Sequence, residues 1–115
     1  MSTLYLTKPG DTINKIIERF NYSMSNFEKR NDVSKLRLIE GLRIFIPIRN
    51  KDGIRLLEHV TEKGETLANI MEKYQANYDL IKYFNNFLHL ILEDEQEVYV
   101  EAKLLSPELG EFSEN

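Results

Sequence analysis

Thr7-Lys8-Pro9-Gly10-Asp11-Thr12-Ile13 recurs 54 residues later as Thr61-Glu62-Lys63-Gly64-Glu65-Thr66-Leu67. Each stretch reads as the end of a short strand, a glycine-bearing turn, a helix cap and the first apolar residue of a helix. Laying Gly10 on Gly64 aligns residues 5–47 with 59–101 without a gap. Ile16/Ile70, Glu18/Glu72, Asn31/Asn85 and Leu36/Leu90 are identical, and Ile13/Leu67, Phe20/Tyr74, Ile44/Val98, Phe45/Tyr99 and Ile46/Val100 are close substitutions. The matches fall on turn and core positions, so an internal duplication decides the architecture.

Each unit reads as strand, helix, helix, strand. Residues 4–7 and 59–61 are short extended runs entering the glycine turns. Ile13, Ile16, Ile17 and Phe20 lie at the spacing of one helix face, matched by Leu67, Ile70, Met71 and Tyr74. Asn21 stands where the first helix must stop, because Asn tolerates the left-handed conformation, whereas Gln75 at the matching place is less suited to it. Ser25 and Asp79 are the expected caps of the second helices, which bury Phe27 in one unit and Ile81 and Phe84 in the other. Leu42–Pro47 and Glu97–Val100 alternate as closing strands, with Pro47 expected to end the first. The expected organisation is a module at 3–48, a linker at 49–57, a divergent second module at 58–102 and an acidic tail at 103–115.

Composition narrows the chemistry. The chain has 115 residues, no cysteine and two histidines, His59 and His89. Disulfide frameworks, thiolate zinc sites and cysteine nucleophiles are thereby excluded, and little is left for an imidazole metal cluster. The acidic run Glu93-Asp94-Glu95 with Glu97 lacks the spacing of a calcium loop and reads as a solvated rim. A net charge of −4 gives no reason to expect nucleic acid as a partner. It divides unequally: residues 1–50 carry nine basic and five acidic side chains, residues 51–115 six and fourteen. No apolar run approaches the roughly 20 residues of a membrane helix, so no membrane insertion is expected. The N-terminal residues lack a basic stretch followed by an apolar one, so synthesis in the cytoplasm without a signal peptide is expected. No nucleophile set, phosphate loop or metal motif is present, so neither enzymatic activity nor a cofactor is expected.

The ordered set Tyr5 to Ile13, Ile16, Arg19-Phe20, Ser23, Phe27, Asn31, Gly41 and Ile44-Phe45-Ile46-Pro47 resembles a LysM module. A second set, from His59 to Leu67 and then Ile70, Lys73-Tyr74, Leu80-Ile81, Asn85-Asn86, Gln96 and Val98-Tyr99-Val100, resembles it again. The resemblance implies an α+β fold of two tandem βααβ modules, each a two-stranded antiparallel sheet with both helices on one side. It also implies non-catalytic binding of the N-acetylglucosamine backbone of peptidoglycan or chitin. The groove would lie between the first strand–helix turn and the loop before the last strand. Carried onto this sequence, those positions are Gly10, Asp11, Thr12, Ile13, Leu38 and Ile39, then Gly64, Glu65, Thr66, Leu67, Leu92 and Glu93. A glycine turn offers backbone amides to an N-acetyl group and an aliphatic side chain offers a surface for its methyl.

The second loops depart from the family pattern. Leu36-Arg37-Leu38-Ile39-Glu40-Gly41 and Leu90-Ile91-Leu92-Glu93-Asp94-Glu95 replace polar residues with aliphatic ones. Leu36, Leu38, Leu90 and Ile91 are therefore expected to meet another protein surface or the neighbouring unit, and Leu105, Leu109 and Phe112 of the tail to form a docking peptide. Two functions follow: glycan binding at a bacterial cell wall or spore envelope, or a structural adaptor. The adaptor would hold protein partners in a spore coat or in a phage-tail-like, contractile injection particle near its hub or baseplate.

Overall fold

A computed structural model describes residues 2–101. The expected tail, with Leu105, Leu109 and Phe112, lies outside the described residues. The order of elements is β1 (Ser2–Leu6), α1 (Ile13–Phe20), α2 (Met24–Arg30), β2 (Arg43–Asn50), β3 (Gly53–Val60), α3 (Leu67–Tyr74), α4 (Tyr78–Phe84) and β4 (Glu97–Glu101). A single 3-10 turn follows α2 at Val33–Lys35 and another follows α4 at Phe87–His89.

Local chemistry sets the helix ends. Thr12 Oγ1 accepts from the Lys15 N–H, and Thr66 Oγ1 from that of Asn69, whose own side chain returns a bond to Thr66 N–H in a capping box. The helices stop at Asn21 (φ 56°) and Gln75 (φ 52°), both left-handed. Gln75 therefore adopts the conformation its position demands despite its side chain. The second helices are capped by Ser23 and Asn77, not by Ser25 and Asp79, because only the former place an oxygen against the N–H three residues on.

The sheets depart from contiguous modules. β1 pairs antiparallel with β4, in the register Leu4↔Tyr99, and β2 pairs with β3, in the register Ile46↔Leu57. The strand expected to close the first unit thus closes the second, and the strand expected to close the second closes the first. The helices follow their own first strand. Asn31, at the end of α2, donates to the Tyr99 carbonyl at 2.8 Å and accepts from the Tyr99 N–H at 2.8 Å. Asn85, at the end of α4, makes the same two bonds at 2.8 Å to Phe45. Tyr99 and Phe45 are equivalent in the repeat, so each asparagine grips the strand of the opposite repeat. The chain crosses between Asn31 and Leu36 and returns between Asn85 and Leu90. Accordingly α1 packs on the Phe87–His89 turn and α3 on the Val33–Lys35 turn.

The stretch expected as a linker, 49–57, is instead the end of β2, a two-residue turn and the first part of β3. Asn50 and Gly53 close the hairpin, with Gly53 at φ 124° and the Asp52 N–H donating to the Asn50 side chain. Pro47 does not end β2; it pairs with Leu56 in mid-strand. A two-stranded sheet leaves each strand one open edge, where a missing N–H costs no ladder bond.

The exchange gives the molecule a two-fold-like axis. Equivalent residues Leu38 and Leu92 bridge each other, and equivalent residues Glu28 and Lys82 form an ion pair at 2.6 Å, joined by the Tyr78 hydroxyl. Burial, then the charge of Glu28, raise the Tyr78 hydroxyl, which therefore remains a donor. Ile13, Ile16 and Phe27 form one continuous core with Ile44, Ile46, Ile70, Ile81, Val98 and Val100. A 43-residue module barely buries a core alone; pooling the two makes a body of ordinary domain size.

Each asparagine lock should hold the exchanged strand. Asn31→Ala removes two hydrogen bonds from Tyr99, whose carbonyl keeps the longer bond from the Tyr22 hydroxyl at 3.4 Å, and should cost about 1–3 kcal/mol in urea unfolding, with Asn85→Ala costing a similar amount. Loss of protection from hydrogen exchange at Tyr99 in Asn31→Ala is the expected local sign; loss at Phe45 instead would contradict the exchange.

Candidate ligand-binding site

The two glycine turns are built alike but wired differently. In the first, Gly10 takes φ 85°, where only glycine is unstrained, and the Asp11 carboxylate accepts from the Tyr5 hydroxyl at 2.6 Å and the Lys8 N–H at 2.9 Å. Burial, then the Asp11 hydrogen bond and charge, raise the Tyr5 hydroxyl. In the second turn Gly64 takes φ 76°, and Glu65 accepts from the Glu62 N–H at 3.0 Å and from His59 Nε2 at 2.8 Å. A carboxylate only accepts, so Nε2 carries the proton, and in the neutral ring Nδ1 accepts the Tyr74 hydroxyl at 2.8 Å. The edge-on ring pair Tyr5–Phe20 of the first turn becomes His59–Tyr74 in the second, both at 5.3 Å between centroids. Burial works to raise the Glu65 carboxyl. The His59 and Glu62 hydrogen bonds, with the charge of His59 when its ring is protonated and that of Lys73, outweigh it, leaving the group below its ordinary value.

Backbone bonds tie the turns to the crossed loops. Leu92 N–H donates to the Asp11 carbonyl at 2.9 Å, and Leu38 N–H donates to that of Glu65 at 2.9 Å. Between the loops, Ile39 N–H donates to Ile91 O and Glu93 N–H to Arg37 O. The order across the molecule is first turn, second-repeat loop, first-repeat loop, second turn. Thr7 and Thr61 anchor this arrangement from the strands. The Thr7 hydroxyl donates to Glu93 O and accepts the Gln96 N–H, each at 2.8 Å, while that of Thr61 donates to Ile39 O and accepts the Leu42 N–H. Buried Gln96 adds two bonds with no counterpart in the other half: its amide accepts from Arg37 N–H and donates to Arg37 O. Arg37 Nε also meets the Glu93 carboxylate at 3.2 Å.

These facts relocate the residues expected from sequence. Gly10, Asp11, Thr12, Gly64, Glu65 and Thr66 do sit on the two turns, but Ile13 and Leu67 are core residues, and Leu38 and Leu92 are each 1% exposed. Those four offer no side-chain surface to a sugar. Leu36 and Leu90, expected to meet another protein surface or the neighbouring unit, are buried inside this chain, and Ile91 is half-buried. The aliphatic loops meet the neighbouring half because the crossing brings them there. Ile39 keeps a half-buried side chain facing a cleft of ≈ 450 Å³. Pro9 and Gly10 of the first turn, Glu40 beside Ile39, Lys63 of the second turn, and Leu92, Glu93 and Asp94 complete its walls. Glu93 reaches over Gly64, whose Cα hydrogen face lies toward its carboxylate. Sequence reading did not single out Glu40 or Lys63, since nothing in the spacing shows that 40, 63 and 94 converge. No group of three or more His, Asp or Glu able to hold a metal occurs among the described residues.

A family model described as LysM domain matches residues 5–47. No curated protein and no solved structure matches the chain. The two-stranded antiparallel sheet with helices packed on it fits such a module.

The Glu65 network makes an acid-side prediction. A carboxyl held below its ordinary value of 4.5 stabilises the fold fully above that pH and loses the contribution as pH falls through its depressed value. The urea midpoint of the wild type should therefore exceed that of Glu65→Gln at about pH 6, and the gap should close toward about pH 3. A gap that stays constant would contradict the network.

Proposed function

We propose that this chain is a non-catalytic binder of N-acetylglucosamine-containing glycan of the peptidoglycan type, acting at a bacterial cell wall or spore envelope through two LysM modules. The observation that carries the reading is the LysM match over residues 5–47, which includes the whole Gly10-Asp11-Thr12 turn. LysM domains bind N-acetylglucosamine glycans, so a glycan-binding role has general support. The second module is part of the proposal: its Gly64 turn, Thr66 cap, Thr61 anchor and Asn85 lock repeat those of the first. Binding without catalysis suits turns whose own carboxylates, Asp11 and Glu65, are engaged in holding them.

A second reading, an adaptor that holds protein partners in a particle or coat, draws on a different observation. The faces of both sheets turned away from the helices expose Leu4, Leu6 and Tyr99 on one and Phe45, Leu56 and Val60 on the other.

Co-sedimentation with insoluble peptidoglycan at low salt separates the two. The full chain should pellet with the polymer and be released by soluble N-acetylglucosamine oligomers. Retention of the wild type in the supernatant would contradict glycan binding and leave the adaptor reading.

A further inference from the structure

We infer that the chain carries one composite glycan site, shared across the two-fold-like axis, in place of one groove per module. This rests on the glycan-binding reading above and specifies its stoichiometry and the class of sugar it takes.

The exchange removes the ordinary geometry of two separate grooves. Each turn is joined by backbone hydrogen bonds to a loop from the opposite repeat, at 2.9 Å for Leu92 to Asp11 and for Leu38 to Glu65. The aliphatic side chains between turn and loop, Ile13, Leu67, Leu38 and Leu92, are packed into the common core. What opens to solvent is the cleft between the two loops, reached from the first turn by Pro9 and Gly10 and from the second by Lys63. Its ≈ 450 Å³ falls at the small end of ligand clefts, which run from roughly 300 to 1,000 Å³, and suits one or two sugar rings better than two independent chains.

The lining names the ligand class. Ile39 and Pro9 supply the apolar surface that an acetyl methyl or the C–H face of a pyranose needs. Glu40, Glu93 and Asp94 are acceptors for hydroxyl and amide hydrogens, with Lys63 as the donor. Arg37 pairs with Glu93, so Glu40 and Asp94 are left facing Lys63, and a lining this close to charge balance suits an uncharged N-acetylhexosamine unit. The asymmetry of the loops supports a single orientation: Ile39 of one repeat stands where the other has Glu93, so the sugar meets an isoleucine at one of these equivalent positions and a carboxylate at the other.

Isothermal titration of the full chain with the N-acetylglucosamine tetramer tests this. One tetramer should bind per chain. Ile39→Arg, from the first repeat, and the exposed Asp94→Arg, from the second, should each weaken all of the binding at least tenfold. Tyr83→Arg, at a residue 80% exposed and away from the cleft, should bind as the wild type. Binding of two tetramers per chain, or one variant leaving half of the sites at full affinity, would overturn the composite site while glycan binding survived. Absence of any binding by the wild type would overturn both. If Ile39→Arg fails to fold, by the criterion of its circular dichroism, Asp94→Arg alone decides.

Discussion

The crossing of the two polypeptide segments after α2 and α4 is the constraint on which the rest of this structure depends. Leu38 and Leu92 meet on the axis, with Ile39 bonded to Ile91 and Glu93 to Arg37 on either side. Once the segments have crossed, each must end as a strand in the opposite half, which fixes β1 against β4 and β2 against β3. The crossing places the residues of both sequence repeats in one core, and burying more surface per residue is what a 43-residue unit lacks alone. It also makes the β2–β3 turn tight. A strand that returned to its own module would need a linker to the next; a strand that pairs with its successor needs only Lys51 and Asp52.

An axis relating two copies in one chain, unlike one relating two identical subunits, permits different residues on either side of it. In identical subunits residue 28 would face its own copy, and two glutamates there would repel. Here Glu28 faces Lys82. The same freedom allows the Gln96 side chain to hold Arg37 where the equivalent Leu42 has an apolar side chain, and allows Tyr5–Asp11 in one turn to become His59–Glu65 in the other. The uneven charge of the two halves of the sequence therefore does not mark two separate surfaces. The crossing brings the acidic loop of residues 93–95 beside the more basic first repeat, as the Arg37–Glu93 pair shows.

Much of the fold was legible because it depends on residues close in sequence. The glycine turns, the threonine caps and the left-handed stops at Asn21 and Gln75 are local events, and the helix faces follow from a period of 3.6. Ser23 and Ser25 both fit the composition of a helix start, and only geometry shows that the Ser23 oxygen is the one that reaches an N–H. Strand partnership was not legible. β2 and β4 have nearly the same alternation, so either satisfies β1 and β3 equally by pattern, and periodicity carries no information about which of two equivalent strands is used. The candidate site inherited that ambiguity: its turns could be named from sequence, but the cleft residues Glu40, Lys63 and Asp94 converge only after the crossing.

The crossing itself is open to a direct measurement, since the native chain has no cysteine to interfere. Paired residues in an antiparallel ladder lie about 4.5–5.5 Å apart at Cα, within disulfide reach. Under mild oxidation, the L4C/Y99C chain should form a disulfide within the monomer, seen as a mass loss of two hydrogens and a peptide joining the two ends. L4C/F45C, the pair that contiguous modules would place together, should stay reduced. Efficient closure of L4C/F45C with L4C/Y99C left open would contradict the exchanged fold and the shared cleft built on it.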